Sequence, residues 1–336
     1  MPIPLNRPYI RRKDWDQVLD TMMQDHWEPS KHTATLEIEF SKYWKTSASW
    51  AFRSNADAIR YLFRGMKLAP GDSVLLSPLS HPVWRLILLE FHATPSYVDV
   101  LPDSPVLDVQ TVEPYLAQNP RAIIIDTSLG YIPDWTAFKK LGIFLIEDLS
   151  QGLGGLRDAA LCGTNAEAVF YSLGTEGLIT AGLGALLAIR SKRYLEDFFF
   201  QKPLDDDRLP EPMAALSLSM WSSREELIQK RQENHRYLFQ HLSRSHRQPR
   251  QYGDSEIVPT SFALLPERGA KDIKTYAVKK GVECVWAFQK QAEIGPEFDN
   301  CPHARYFLHH TIIFPLLPVF SAKEAQVYAK VLSTLP

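Results

Sequence analysis

Apolar residues in the first two-thirds of the chain gather in short runs: "SVLLS" at 73–77, "PSYVDV" at 95–100, "AIIID" at 122–126, "IFLIE" at 143–147, "AVFYS" at 168–172 and "ALLAI" at 185–189. Runs of this length that are apolar on both alternating faces suit a mainly parallel sheet covered by helices on both sides. Between them the period changes. Ile59, Leu62, Phe63 and Met66 stand at i, i+3, i+4 and i+7, which is the single buried stripe of an amphipathic helix. The alternation predicts a large α/β domain.

After "QKPLDDDRLPEP" the pattern becomes one long helical stretch, 213–242, whose polar second half reads as an exposed connector. Beyond it the chain predicts a strand at 261–265, a helix at 271–280, and strands near 284–288 and 309–314. A last helix follows, with Ser321 as its cap and Glu324 closing a capping box. The expected division is a large domain over 1–240, including an N-terminal arm and the connecting helix, and a small α+β domain over 241–336.

Composition narrows the functional classes. The chain has 336 residues, 45% apolar and 23% charged, with a formal net charge of -2. Its charges are scattered, so it lacks the basic stripe that nucleic-acid binding requires. No window has the apolar length of a signal peptide or a membrane span, and Cys162, Cys284 and Cys301 are too few and too far apart for a disulfide framework. These features predict a cytoplasmic protein with no membrane partner. His309 and His310, adjacent on the expected last strand, would face opposite sides and make no metal pair. "GLGG" at 152–155 lacks the spacing of a dinucleotide fingerprint. The tryptophans and "FFF" at 198–200 read as core or dimer-interface anchors.

An open α/β sheet places its ligand at the carboxyl ends of its strands, so the residues there are the candidates. Ser54 and Asn55 open the helix at "RSNADAIRYLF", where they form either an ordinary N-cap or an anion site at the positive end of the helix. Asp148 follows an apolar strand, with Gln151 three residues on; it either caps the next turn or fixes a cationic ring nitrogen. Ser172 ends the next strand as a phosphate donor or a turn serine.

The order of "PLNRPYI", "SNADAI", "LAPGDSVLLSPLSHPVW", "RAIIIDTSLGYIPDW", "GIFLIEDLSQGLGG" and "AVFYSLGTEGLITAGLGALLAI", with the tail "HHTIIFPLLPVFSAKEAQVYAKVL", resembles the DegT/DnrJ/EryC1/StrS family of sugar aminotransferases. The resemblance covers almost the whole chain. It implies the fold type I architecture of pyridoxal phosphate (PLP) enzymes, with a mainly parallel seven-stranded sheet, and a homodimer with active sites at the subunit interface. It also implies roles for single residues. Asp148 takes the place of the aspartate that pairs with the pyridine nitrogen, Gln151 that of the glutamine near the ring hydroxyl, and Ser54 and Ser172 those of the phosphate serines. Asn55 and Ala56 replace the family's glycine and threonine, Pro82 falls where an aromatic ring stacks, with His81 just before it, and Gly177 falls where the catalytic lysine belongs. Arg208 matches an arginine that would bring Asp206 toward a neighbouring subunit's phosphate site, where a carboxylate is unfavourable.

Without the lysine the chain loses the amine that forms the internal aldimine and that shuttles the proton. His81 and Glu176 are the titratable candidates nearest to the gap. Two classes follow from the resemblance. One is a degenerate homologue, a pseudoenzyme that binds a nucleotide sugar or pairs with another subunit. The other is a lysine-independent enzyme acting on a keto or amino sugar with PLP or its amine form, pyridoxamine phosphate (PMP), held non-covalently. The changes gathered at Asn55, Ala56, Pro82, Gly177 and Asp206 favour the first, in which no cofactor is needed; Asp148 and Gln151 support the second.

Overall fold

The computed structural model describes residues 2–24, 26–200, 202–294 and 300–336. Seven strands form the main sheet: β1 (Ala48–Phe52), β2 (Ser73–Leu76), β3 (Thr94–Tyr97), β4 (Ala122–Asp126), β5 (Phe144–Asp148), β6 (Ala168–Ser172) and β7 (Ala185–Ile189), in the spatial order β1-β7-β6-β5-β4-β2-β3. β2 to β6 are mutually parallel where they pair; β7 runs antiparallel to β6, and β1 antiparallel to β7. Six of these strands lie within a few residues of their expected positions. The edge strand β1 does not follow from the apolar pattern, because "ASWAF" carries no distinctive period and is defined by its pairing with β7.

Alternation along each strand divides the core into two layers. On β4, Ile123 and Ile125 join one apolar cluster while Ala122 and Ile124 join the other. All of β7 is buried, which explains why its sequence reads as an unbroken apolar run. Helix α1 (Arg12–Met22) packs on the helix over Glu211–Trp221, and α2 (Lys31–Trp44), α3 (Asn55–Gly65) and α4 (Pro82–Glu90) pack on the sheet. The expected stripe Ile59, Leu62, Phe63 and Met66 is buried as a unit, with Met66 capping α3.

The long helix expected over 213–242 is two helices, α5 (Glu211–Trp221) and α6 (Arg224–Gln240). They break at Ser222 and Ser223, where the Ser222 hydroxyl donates to the Ser219 carbonyl at 2.6 Å, a local bond that competes with helix continuation. Nor is α6 a solvated connector throughout, since Leu227, Ile228, Arg231 and Leu238 are buried. Glu211, at the start of α5, caps α2 from a distance. Its carboxylate accepts from the backbone N–H groups of Ser30 (2.9 Å), His32 (2.5 Å) and Thr33 (3.2 Å) and from the Thr33 hydroxyl (3.0 Å). Burial alone would raise its pKa, but these donors outweigh burial and hold it at about 2. Glu211→Ala leaves those buried donors unpaired and is expected to cost about 3 kcal/mol, read from the urea midpoint.

The C-terminal part has α7 (Ala270–Lys279), α8 (Gln289–Ile294), α9 (Pro302–His310) and α10 (Ala322–Ser333) around strands β8 (Phe262–Leu264), β9 (Val285–Trp286) and β10 (Ile312–Phe314), ordered β8-β10-β9. Its core draws in Ile3 and Leu238 from earlier in the chain. The Ser321 capping box is formed as expected. His309 and His310, expected on a strand, lie instead in the last turn of α9, where His310 Nδ1 meets the Tyr306 carbonyl at 2.8 Å and its ring stacks on Tyr306. The glycines after Gln151 lead into two-residue strands at Leu156–Arg157 and Ala160–Leu161, so no helix follows them to receive a pyrophosphate. Trp44, Trp84, Trp221 and Phe198 are core residues, whereas Trp15, Trp27 and Phe199 are about half exposed; the Phe200 side chain lies outside the described residues.

Candidate active site

A cavity of about 240 Å³ opens at the carboxyl ends of β4, β5 and β6. That size lies just below the usual range of small-molecule pockets, roughly 300–1,000 Å³. Asp126, Asp148 and Ser172, the last residues of the three strands, line it together with Asn55, His81, Gln151, Glu176 and Gly177. Most residues singled out from the sequence therefore meet in one place. Ser54, Ala56 and Pro82 do not line it.

Asp148 is held by three donors. Its Oδ2 accepts from the Trp84 indole N–H at 2.8 Å, and its Oδ1 from the Ser150 N–H at 3.0 Å and the Ser150 hydroxyl at 2.5 Å. The same hydroxyl accepts from Ser172 N–H at 3.0 Å and ties β5 to β6. Asp126 stands opposite Asp148 in the parallel register of β4 and β5 and receives a bond from the Ser80 hydroxyl. Desolvation, and then the charge of Asp148, push the Asp126 carboxyl well above its ordinary range. The sequence reading did not single out Asp126. Its signal was there: "IIID" ends an apolar run as "LIED" does, but only the strand register makes them neighbours.

The helix start at Ser54 is an ordinary cap. Its hydroxyl accepts from Asp57 N–H at 3.1 Å and donates to Asp57 Oδ2 at 2.5 Å, so the expected phosphate serine is already committed, and to a carboxylate. Asn55, by contrast, presents a buried Oδ1 that has no hydrogen-bond partner among the described residues. Ala56 packs on the second core cluster. Pro82 is the buried first residue of α4, turned into the protein because the helix begins there, and the imidazole at the cavity wall is that of His81. Gln151 Oε1 accepts from Leu129 N–H at 2.5 Å, and Ser172 Oγ accepts from Gly174 N–H at 3.3 Å.

The proposed substitute bases are poorly set for proton transfer. Val83 N–H donates to His81 Nδ1 at 3.2 Å, which places the proton of the neutral ring on Nε2 and leaves its basic lone pair occupied. Desolvation at the cavity wall lowers the His81 pKa, only partly countered by the charge of Asp148. Glu176 is largely exposed and pairs with Lys290 at 3.7 Å. Lys290 itself reaches the cavity wall from α8, which Gln291 Nε2 fastens by donating to the Leu79 carbonyl at 3.1 Å. No local feature of the sequence placed Lys290 here.

Gly177 lies in the loop between β6 and β7, at the cavity wall. A Cβ on it would stand 2.9 Å from the Tyr171 hydroxyl and 3.0 Å from the Ile179 carbonyl oxygen. That hydroxyl is fully buried and bonded to Ile179 N–H at 3.0 Å and to the Ile179 carbonyl at 3.2 Å. The loop is therefore packed around the absence of a side chain. Arg208 pairs with Glu37 at 2.9 Å, and Asp206 is exposed and outside this chain's cavity lining. Among the described residues no group of three metal-ligating side chains gathers, and no helix is long and apolar enough to cross a membrane.

The overall fold recurs in solved structures. Helicobacter pylori PseC, an aminotransferase involved in the biosynthesis of pseudoaminic acid, matches with a TM-score of 0.89 at 18% identity, over 99% of this chain and 98% of that one. A Streptococcus pneumoniae protein assigned as a sugar aminotransferase, solved in PLP and PMP forms, matches with a TM-score of 0.90 at 17% identity, over 100% and 98% of the two chains. These likenesses show the fold type I architecture. By sequence, a dTDP-3-amino-3,4,6-trideoxy-alpha-D-glucose transaminase of Streptomyces venezuelae is 27% identical over 141 residues, 41% of this chain and 37% of the relative. The Bacillus subtilis spore coat polysaccharide biosynthesis protein SpsC is 22% identical over 222 residues, 64% and 53% of the two. The matched stretch thus spans between about a third and a half of these curated relatives. The profile of the DegT/DnrJ/EryC1/StrS aminotransferase family matches residues 8–332, and the chain belongs to that family.

Proposed function

We propose that this protein binds a nucleotide-linked keto or amino sugar in the cavity at the ends of β4 to β6 and does not transaminate through a lysine-bound cofactor. The observation that carries this reading is the closed space around Gly177, with Tyr171 and Ile179 where a side chain would begin. It is supported by His81 and Glu176, neither of which offers a free base to the cavity. The family relatives named above support a sugar ligand.

The cavity nonetheless fits part of a pyridoxal-type cofactor, and this favours a second reading, an enzyme working with PLP or PMP held non-covalently. Asp148, held by Trp84 and Ser150, and Asp126 beside it form a seat for a cationic ring nitrogen. Such a buried acid pair is costly unless a cation meets it. Gln151, Ser172 and the orphaned Asn55 amide would hold the remaining polar groups. When bound, the cofactor supplies an electron sink for amine chemistry. The protein's own residues would bind and orient it, and the committed Ser54 is the part of the cup that does not fit.

An absorbance titration with PLP and PMP, before and after dialysis, followed by borohydride reduction and peptide mapping, tests both readings. The expected result is binding lost on dialysis and no reduced adduct on Lys290 at the cavity wall. An adduct there would sink the first reading. Turnover of an amino or keto sugar nucleotide with added cofactor would install the second, and failure of any sugar nucleotide to bind would remove both. We also propose a homodimer, supported by the exposed apolar side chains of Leu183, Phe199 and Leu204. Light scattering at micromolar concentration is expected to give twice the 38.4 kDa chain mass, and a monomer would contradict it.

A further inference from the structure

Arg231 is the buried charge that the cavity does not use. It lies on α6, 4% exposed, and among the described residues its Nε and Nη1 have no hydrogen-bond partner. Burial lowers its pKa to about 10, so the guanidinium remains charged at neutral pH. The phenol of Tyr171 is the ionisable group that influences it, and burial pushes that phenol up to about 12, so it is neutral and compensates nothing. A buried, unpaired guanidinium is among the costliest arrangements in a protein interior, and a native one calls for an ion.

The space for that ion is present. A second, much smaller cavity of about 10 Å³ lies behind the loop that carries Gly177, lined by Arg231 with Asn6, Arg7, Thr175, Gly177 and Thr260. The acidic residue at its rim, Glu176, is largely exposed and pairs with Lys290, and Arg7 is engaged by Glu324 at 2.9 Å. This leaves Arg231 without a carboxylate. A volume of this order holds about one small group, which favours a compact anion over a bulky one such as phosphate.

We propose that Arg231 forms the floor of a second ligand site, distinct from the main cavity, that takes a compact monoanion such as chloride or a small carboxylate. Thr175, Glu176, Gly177 and Thr260 line both cavities, so the anion braces the loop that forms the wall of the main site. The site does not depend on whether a cofactor or a sugar occupies the main cavity.

The test is the thermal stability of the full chain in chloride, formate or phosphate, with ionic strength held by a bulky sulfonate buffer. In the wild type the melting temperature is expected to rise saturably with chloride or formate, the more effective of the two identifying the natural class of ligand. Phosphate is expected to give no increment. Arg231→Met, which removes the uncompensated charge, is expected to melt at or above the anion-free wild type and to lose the response, with affinity down at least tenfold. As a measurement independent of any variant, bromide soaked into crystals should give an anomalous peak within hydrogen-bond distance of the Arg231 guanidinium. Stabilisation by phosphate alone, by no anion, or equally in Arg231→Met overturns the proposal, as does a bromide map empty at Arg231.

Discussion

Gly177→Lys is expected to destabilise the protein by about 2 kcal/mol and to leave it without a lysine-linked cofactor. The sequence alone suggests the opposite, that returning a lysine to this position would aim an amine at the cavity. The structure places the first carbon of the new side chain against a buried hydroxyl at 2.9 Å and a backbone oxygen at 3.0 Å. Overpacking of this kind costs roughly 1–3 kcal/mol, because neither neighbour is the free end of a flexible chain. Tyr171→Phe would remove the hydroxyl, but it would orphan the Ile179 N–H and leave the carbonyl where it is. The double variant is therefore expected to be no better. Urea denaturation gives the stability, and borohydride reduction with peptide mapping gives the adduct. A variant as stable as the wild type, carrying stoichiometric cofactor on the new lysine, would show that the loop opens and that the packing argument is mistaken.

Glu147→Gln is expected to remove a large part of the protein's loss of stability toward alkaline pH. Glu147 is fully buried beside Asp148; the backbone N–H groups of Gly163, Asn165 and Ala166 lie near its carboxylate, but none meets hydrogen-bond geometry with either oxygen. Burial raises its pKa from the ordinary 4.5 to about 8, with the charge of Arg190 and the nearby backbone N–H groups opposing the shift. Arg190 does not rescue it as an ion pair, since its guanidinium is spent on the carbonyls of Ala166 (2.7 Å), Trp44 (2.7 Å) and Gly163. A carboxyl whose pKa is raised by folding binds its proton more tightly in the native state. Its contribution is complete below pH 4.5 and declines as pH rises to about 8, above which no further loss accrues from it. The decline is on the order of 3–5 kcal/mol at 1.36 kcal/mol per pKa unit. Glutamine has no proton to lose, so at pH 8.5 the variant should exceed the wild type by a few kcal/mol, and near pH 4.5 the two should agree. Parallel stability profiles across this range would contradict the assignment.

The fates of Ser54, Pro82 and His81 show how far residue identity carries. Ser54 and Pro82 stand at a helix start as expected, but Ser54 is engaged as the cap and Pro82 is turned into the protein, so neither lines the cavity. His81 is at the cavity, but Val83 takes the lone pair a base would need. Asp148 and Gln151 were legible because a carboxylate just past an apolar strand has few places to go. Asp126 was equally available by the same rule and acquires its meaning only beside Asp148.

By itself the sequence determined what short-range physics controls. Six of seven strands, the stripe of α3, the Ser321 capping box and the absence of a lysine from the loop after β6 were all fixed by spacing, because period and capping act within a few residues. The tertiary structure decided everything that depends on distant segments meeting. Strand register created the Asp126–Asp148 pair, and α4 brought Trp84 under it. Lys290, more than a hundred residues beyond Gly177, was carried to the rim by α8, and Arg231 was buried without a counter-ion behind the loop. Such contacts arise from the burial of apolar faces far from the groups concerned, so no local pattern encodes them.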